Sequence, residues 1–370
     1  MSFYLVILLP ALVCLFWSLY YLLDRLAGYT SQSQGSTALT RRAMTAFFCA
    51  TTVLYACHCL YFAGIRSAVF ETMYATANLC VYPLFYLYLV RLTGKAQDET
   101  DSQLKWHRLR LFLPALVVLV AYVVCFLTGA EQVRHWVYIV ARVTFALQVV
   151  YVWISGSRLL QQYRYRLDNF YSDDRSYALM PLYVLLQLFG AIALLSMVLN
   201  VLGREWFAGK MIVAVPSLIM SALLYGLGYV ASKIALPAVP FLEKRIITEE
   251  ASSSSVQTTL AERLEQLMHT QKPYLNPNLT VNDLAQMLQT NRTYLSHALH
   301  DELGVSFSGY VNRFRIEHAK QILRDEHFET SKEAILTAQV ESGFASESSF
   351  YRLFKQHTGK SPLAFRQEKD

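Results

Sequence analysis

The sequence predicts an all-α protein in two unlike parts, an apolar helical bundle followed by a polar helical domain. Three observations predict it. Seven apolar runs, each about 20 residues long, fill the chain up to residue 232, and almost none occur after it. A stretch rich in proline, charge and serine follows, running through Pro237, Pro240 and Ser252 to Ser255. Beyond it, apolar residues recur at helical spacing in short segments separated by turn signals. The totals average these parts: 370 residues, 54% hydrophobic, 16% charged, net charge +6. So little charge excludes a disordered chain. It also argues against an ordinary soluble enzyme, which would have to bury 24 Tyr, 21 Phe and 5 Trp.

The runs lie at about 3–23, 43–64, 70–90, 109–128, 135–154, 177–201 and 211–231. Each is long enough to cross a bilayer as a helix. Helices are required because a span must satisfy its own backbone groups, and nothing here alternates like a barrel strand. The first run lacks a basic leader and a small-residue cleavage site, so it is expected to be a retained span. Lys and Arg set the orientation. On one side are Arg25, Arg41, Arg42, Arg91, Lys95, Lys105, Arg108, Arg158, Arg164, Arg166 and Arg175. On the other are only Arg66, Arg134, Arg204 and Lys210. The basic side is expected to be cytoplasmic, with the N-terminus outside and everything after Lys233 inside. Tyr4, Trp17, Tyr20, Trp106, Trp136, Trp153 and Trp206 lie near span ends, as interfacial belts require.

Polar groups within spans are costly and often functional. Arg142 is the clearest, with Glu71 and His58 beside it as candidate sensing residues. Arg142 reads equally as a ligand or switch group and as a structural ion pair, with Glu71 as a candidate partner. Asn78, Gln148, Gln187 and Asn200 read chiefly as hydrogen-bonding glue between helices. All six cysteines lie in the apolar part. Cys57-His58-Cys59 does not make a metal site, because adjacent helical residues diverge by about 100°. No metal and no cofactor is expected. The domains are therefore 1–232, spanning the membrane as a sensor, a linker at 233–257, and a cytoplasmic domain at 258–370.

In the polar part, Leu260, Leu264, Leu267 and Met268 form a first helical stripe, which Asn276-Pro277-Asn278 breaks. A short helix over about 279–288 follows, with Thr280 as N-cap. A turn at Gln289-Thr290-Asn291 leads to a second helix over about 292–301. Two short helices across a tight turn make a helix-turn-helix. Gly304 ends it. A longer helix over 308–324 comes next, and then the pattern recurs: a helix at 331–342, a turn at Gly343, and a helix capped by Ser346 running to about His357.

These residues carry a resemblance. Leu284-Ala285, Tyr294-Leu295-Ser296, Glu302-Leu303-Gly304, Ser306-Phe307, Tyr310, Arg315 and Ala319 look like the first half of the AraC/XylS DNA-binding module. Gly343-Phe344, Ser349-Phe350, Phe354-Lys355, Thr358-Gly359, Ser361-Pro362 and Phe365-Arg366 resemble its C-terminal signature. The match covers about 260–368 and nothing before. It departs from the family pattern at Leu299, Ala338 and Gln339. The resemblance implies two recognition helices entering successive major grooves of double-stranded promoter DNA. On the first, Arg292, Thr293, Ser296, His297 and His300 share a side. On the second, Glu347, Ser348, Tyr351, Arg352 and Lys355 do so. The first is expected to be the main base reader, with Arg352 and Lys355 suited to phosphate or guanine. Arg313 is expected to touch phosphate or pair with a neighbouring acid. Residues 257–370 carry a net charge of −1, so DNA affinity has to come from local basic positions.

The expected function is a membrane-embedded one-component transcription regulator of the bacterial cytoplasmic membrane. Its expected partners are promoter DNA, the lipid bilayer, RNA polymerase, a second copy of the chain as a homodimer, and an unknown signal ligand or membrane partner. A transporter or intramembrane enzyme with a DNA-binding tail is the alternative. A passive DNA tether is the third reading. No Ser/His/Asp set, HExxH or phosphate-binding glycine loop favours an enzyme.

Overall fold

The protein is all-α in this computed structural model, which describes residues 2–26, 35–65, 67–94, 101–173, 175–202, 210–234, 260–325, 328, 330 and 331–368. Residues 235–257 of the expected linker, Arg66, Lys95, Arg204 and Trp206 lie outside the described residues, as do the side chains of Tyr4, Arg25, Lys105, Trp106, Arg108, Asn200 and Lys210. Two compact units emerge: 1–162 with 179–238, and 163–178 with 239–370. The stretch Tyr163–Ala178, which comprises the last six residues of the fifth apolar helix and the connection to the sixth, thus groups with the C-terminal domain.

The first unit is built on α1 (Ser2–Leu26), α2 (Gly35–Phe62), α3 (Ala68–Leu92), α4 (Asp101–Thr128), α5 (Glu131–Asp168, which ends in the other unit), α6 (Met180–Leu202) and α7 (Lys210–Lys233). These seven are long and apolar enough to cross a membrane. Helix α2 packs on α1 and α3, α7 on α1 and α6, and α4 on α3. Large apolar side chains cover the outside; Leu127 is 76% exposed and Leu147 67%. Polar groups join the helices. Gln187 accepts a bond from Trp153 Nε1 at 2.9 Å and donates to Ser157 Oγ at 2.8 Å, linking α6 to α5. Gln148 Nε2 donates to the Leu111 carbonyl at 3.2 Å, linking α5 to α4. Both amides therefore act as the interhelical glue their types suggest.

Trp17 corrects one expectation. It does not face outward in an aromatic belt but is 4% exposed, with its ring laid on Gly228 of α7. A Cβ at Gly228 would come within 2.3 Å of that ring, so only glycine admits the approach. Tyr21 Oη donates to the Gly228 carbonyl beside it, at 2.8 Å.

The second unit contains α8 (Leu260–Thr270), α9 (Val281–Met287), α10 (Arg292–His297), α11 (Phe307–Leu323), α12 (Ser331–Glu341), α13 (Glu347–Thr358) and α14 (Pro362–Gln367). Capping explains most boundaries. Thr280 and Asp283 form a capping box at α9, each side chain accepting from the other's backbone N–H. Asn291, Ser306, Thr330, Ser346 and Ser361 cap α10 to α14 in the same way through their side-chain oxygens. Helix α10 is shorter than the spacing suggests, because residues Ala298–Glu302 widen into a π-type turn. The second half closes over Ile316, Ala319, Leu323, Ala334, Ile335, Ala338, Phe344, Phe350, Leu353 and Phe354. The departures at Leu299 and Ala338 are accommodated: both side chains are fully packed.

Gly343 makes the turn of the second helix-turn-helix at φ +80°, and a Cβ there would meet the Tyr274 carbonyl oxygen at 2.5 Å. Gly343→Ala combines left-handed strain with a clash against backbone. It should destabilise the second unit by more than about 2 kcal/mol. Faster hydrogen exchange of the α12 and α13 amides in the detergent-solubilised chain checks this, and unchanged protection would contradict it.

Candidate nucleic-acid interface

The helices that follow the two turns, α10 and α13, carry the residues expected to meet DNA. Their apolar faces fix their rotation. Leu295 on α10 and Phe350, Leu353 and Phe354 on α13 are buried, so the opposite faces point outward. On α10, Thr293 and His297 are exposed, Arg292 and Ser296 half-buried, and His300 is exposed on the following turn. On α13, Glu347, Ser348 and Lys355 are exposed while Tyr351 and Arg352 are half-buried. His297 Nε2 lies 3.3 Å from Asp301 Oδ2. Tyr294, 47% exposed on α10, is a further outward side chain that the spacing did not single out. Arg313 lies over the rings of Tyr310 and Phe314, at 5.2 and 5.1 Å.

Arg292 and Arg352 are each engaged by the stretch 163–178. The Arg292 guanidinium lies 4.8 Å over the Phe170 ring, and that of Arg352 lies 4.6 Å over Tyr177. The His300 ring meets Tyr165 edge-on at 5.9 Å. Burial lowers the pKa of Arg292. Burial also lowers that of Arg352, with a smaller contribution from the like charge of Arg164, while Asp168 opposes the shift. Both side chains stay cationic at neutral pH.

The stretch itself is fixed by backbone and by Arg315. Tyr171 and Thr280 form an antiparallel bridge. Ser172 N donates to the Leu279 carbonyl at 3.1 Å, and Val281 N to the Phe170 carbonyl at 3.0 Å. The second bond satisfies a donor at the start of α9 that no helical partner reaches. Arg315, 1% exposed, fills the junction. Its Nε donates to the Tyr274 carbonyl at 2.7 Å, Nη2 to the Asn276 carbonyl at 2.7 Å and to Ser172 Oγ at 2.9 Å. Its Nη1 donates to the Ser172 carbonyl at 3.0 Å and to Asn312 Oδ1 at 3.3 Å. Burial lowers its pKa to about 10, with Asp173 opposing, so it too is charged at neutral pH. Residue types predicted the outward faces but not this inward arginine or its partner stretch. The available signal was Arg315 standing in an otherwise apolar i, i+4 row, Phe307, Val311, Ala319 and Leu323.

The polar candidates of the apolar helices make the following contacts. Arg142 lies 4.2 Å over the Tyr138 ring. Glu71 is exposed in the first turn of α3, within electrostatic reach of Tyr122. His58 meets Phe62 edge-on at 4.9 Å and stacks with Tyr74 at 6.2 Å. Among the described residues no group of three or more His, Cys, Asp and Glu could hold a metal ion.

Comparison with known proteins bears on the C-terminal part alone. Residues 284–368 match the helix-turn-helix domain family. An uncharacterised helix-turn-helix-type transcriptional regulator of Staphylococcus aureus is 31% identical over 93 residues, which cover 25% of this chain and 12% of that protein. The uncharacterised regulator YijO of Escherichia coli is 29% identical over 119 residues, 31% of this chain and 40% of YijO. The chain therefore spans well under half the length of either relative. Among solved structures, the C-terminal domain of AraT, a response regulator from Geobacillus stearothermophilus, is 26% identical, with a TM-score of 0.27, covering 31% of this chain and 88% of that one. The C-terminal part is a helix-turn-helix domain like those of transcriptional regulators.

Arg315→Met should strand the carbonyls of Tyr274, Asn276 and Ser172 in a dry site, costing about 3 kcal/mol or more. Arg315→Lys should rescue little, since three ammonium donors cannot reproduce the planar fork. Thermal unfolding of the solubilised chain measures both, and a methionine variant as stable as the parent would contradict the assignment.

Proposed function

We propose that the chain is a membrane-embedded, one-component transcription regulator, binding promoter DNA through α10 and α13 while the seven-helix unit senses a signal. The observation that carries this reading is the pairing of two capped helix-turn-helix units, matched by family, with seven apolar helices on one chain. The exposed apolar side chains of α4 and α5 suit a lipid environment better than water. The surplus of Lys and Arg in the loops after α1, α3 and α5 supports a cytoplasmic side for them and for the DNA-binding domain. Helix α5 has 38 residues, about 57 Å, against a hydrocarbon core of about 30 Å. Its basic C-terminal part, with Arg158, Arg164 and Arg166, therefore projects into the cytoplasm.

On DNA, Thr293, Ser296, His297 and His300 offer donors and acceptors to base edges in the major groove. Arg292, Arg352 and Lys355 supply the positive charge that a nearly neutral domain otherwise lacks. A signal acts by linkage. A ligand favouring one packing of the membrane helices shifts the domain toward the state compatible with that packing. A homodimer held by the membrane unit would present a second domain at high effective concentration. RNA polymerase is the partner that a promoter-bound activator would engage.

Two measurements test the reading. Reporter fusions after Lys233 and at Gly129 should report cytoplasmic and external locations respectively; the reverse pattern would sink the topology. In lipid nanodiscs, Lys355→Ala should weaken binding to all DNA alike and reduce the salt slope by about one ion. His297→Ala should cost about 1–3 kcal/mol on selected sites only. Fluorescence anisotropy at several salt concentrations separates the two, and unaltered binding in both variants would remove α10 and α13 from the interface.

A further inference from the structure

The geometry points to an intramolecular lock: the stretch Tyr163–Ala178 holds the recognition helices by the residues that DNA needs, and must yield before DNA can bind. The inference rests on the reading of α10 and α13 as the DNA-contacting helices. It concerns what occupies them when DNA does not.

The middle of the stretch is an anchor. Phe170 and Ser172 pair by backbone with Leu279 and Val281 at the start of α9, and Arg315 grips Ser172 from inside. Around this anchor, aromatic rings reach both recognition helices. Phe170 lies under Arg292, Tyr165 against His300, and Tyr177 under Arg352. Asp168, within electrostatic reach of Arg352, offers that guanidinium the negative charge a phosphate would bring. One stretch of 16 residues thus engages a cation on each of the two helices.

A cation over an aromatic face is attracted by the ring's negative π-face, more strongly when partly desolvated. A phosphate or a guanine edge would claim the same guanidinium and remove it from the ring. The two engagements therefore compete. Competition makes the stretch a regulator rather than filler, because its ends are the chain entering from α5 and leaving into α6. The anchor is one antiparallel bridge with two backbone bonds, backed by the buried Arg315 fork. The side chains of Tyr165, in the last turns of α5, and of Tyr177 are about half-exposed, 50% and 52%, and each makes one ring contact to a recognition helix or the turn after it. A change in how α5 and α6 pack would reach the flanks first.

The test uses the full chain in nanodiscs of phosphatidylethanolamine and phosphatidylglycerol. Sheared genomic DNA of the source organism is captured, sequenced, and the enriched fragment used as an anisotropy probe. Tyr165→Ser/Tyr177→Ser replaces two half-exposed rings and leaves the anchor intact. It should raise affinity for the fragment about tenfold, and adding DNA to the parent chain should speed hydrogen exchange at the two flanks. Asp168→Asn is a second, isosteric variant and should raise affinity in the same direction. Unchanged or weaker binding by both variants, with flank exchange unaffected by DNA, would overturn the lock while leaving the DNA-binding function standing. If neither parent nor variants enriched any fragment, the functional reading itself would fall, and the lock with it.

Discussion

One buried guanidinium organises the DNA-binding domain. Arg315 is removed from water almost completely, and taking a cation out of water costs several kcal/mol unless every donor is met. The site meets them with three backbone carbonyls, a serine hydroxyl and an asparagine oxygen. Only a planar fork can address so many directions from one side chain. The acceptors come from three places: the turn ahead of α9, helix α11 itself, and the stretch after α5. On its other side the guanidinium lies 5.9 Å from the Phe344 ring, at the turn of the second helix-turn-helix. The long helix α11 packs against α12 and α13 as well. The charge is thereby a joint at which both helix-turn-helix units and the 163–178 stretch are held in register.

That joint gives the electrostatics of the interface their form. The domain has no basic surplus, so its few outward cations matter individually. Two of them, Arg292 and Arg352, are stacked on aromatic rings, which lowers the cost of holding a half-buried cation but also ties it to a ring. Lys355 and Thr293 stay open to solvent. The interface is therefore divided into positions available to a ligand and positions already engaged, and the engaged ones are the arginines best suited to phosphate or guanine.

Much of this was legible in the sequence, and the remainder was hidden for identifiable reasons. The fold class, the seven apolar helices and the helix-turn-helix repeat follow from local patterns, and caps such as Thr280 and Ser346 mark where short helices begin, whereas α2 and α4 start eight residues before their apolar runs and α5 ends fourteen residues after its own, because hydropathy marks only the apolar part of a helix. The early end of α10 was not readable, because a π-type turn at Ala298–Glu302 keeps the helical spacing of its side chains. Gln289 adopts φ +53° without being glycine, a turn that composition does not announce. Trp17 looked interfacial by position, and only Gly228, some 200 residues away, turns it inward. Arg315 was visible as one charge in an apolar row, yet its Ser172 partner lies 143 residues earlier, beyond any local pattern. Long-range polar pairing is what a single sequence hides.

The same long-range pairing bears on how a membrane signal could reach DNA. Under the proposed function, a coupling route needs an element whose two ends are both held by the seven-helix unit. The stretch after α5 meets that condition, since α5 and α6 bound it and its middle pairs with α9. Any relative displacement of those two helices has to be absorbed within about a dozen residues. Their backbone pairing and the Arg315 fork resist it, and the aromatic flanks do not. A small shift would then be expressed at the rings over Arg292, His300 and Arg352 rather than spread through the domain, which is how a packed, bistable contact converts a modest helix movement into a change of ligand competence.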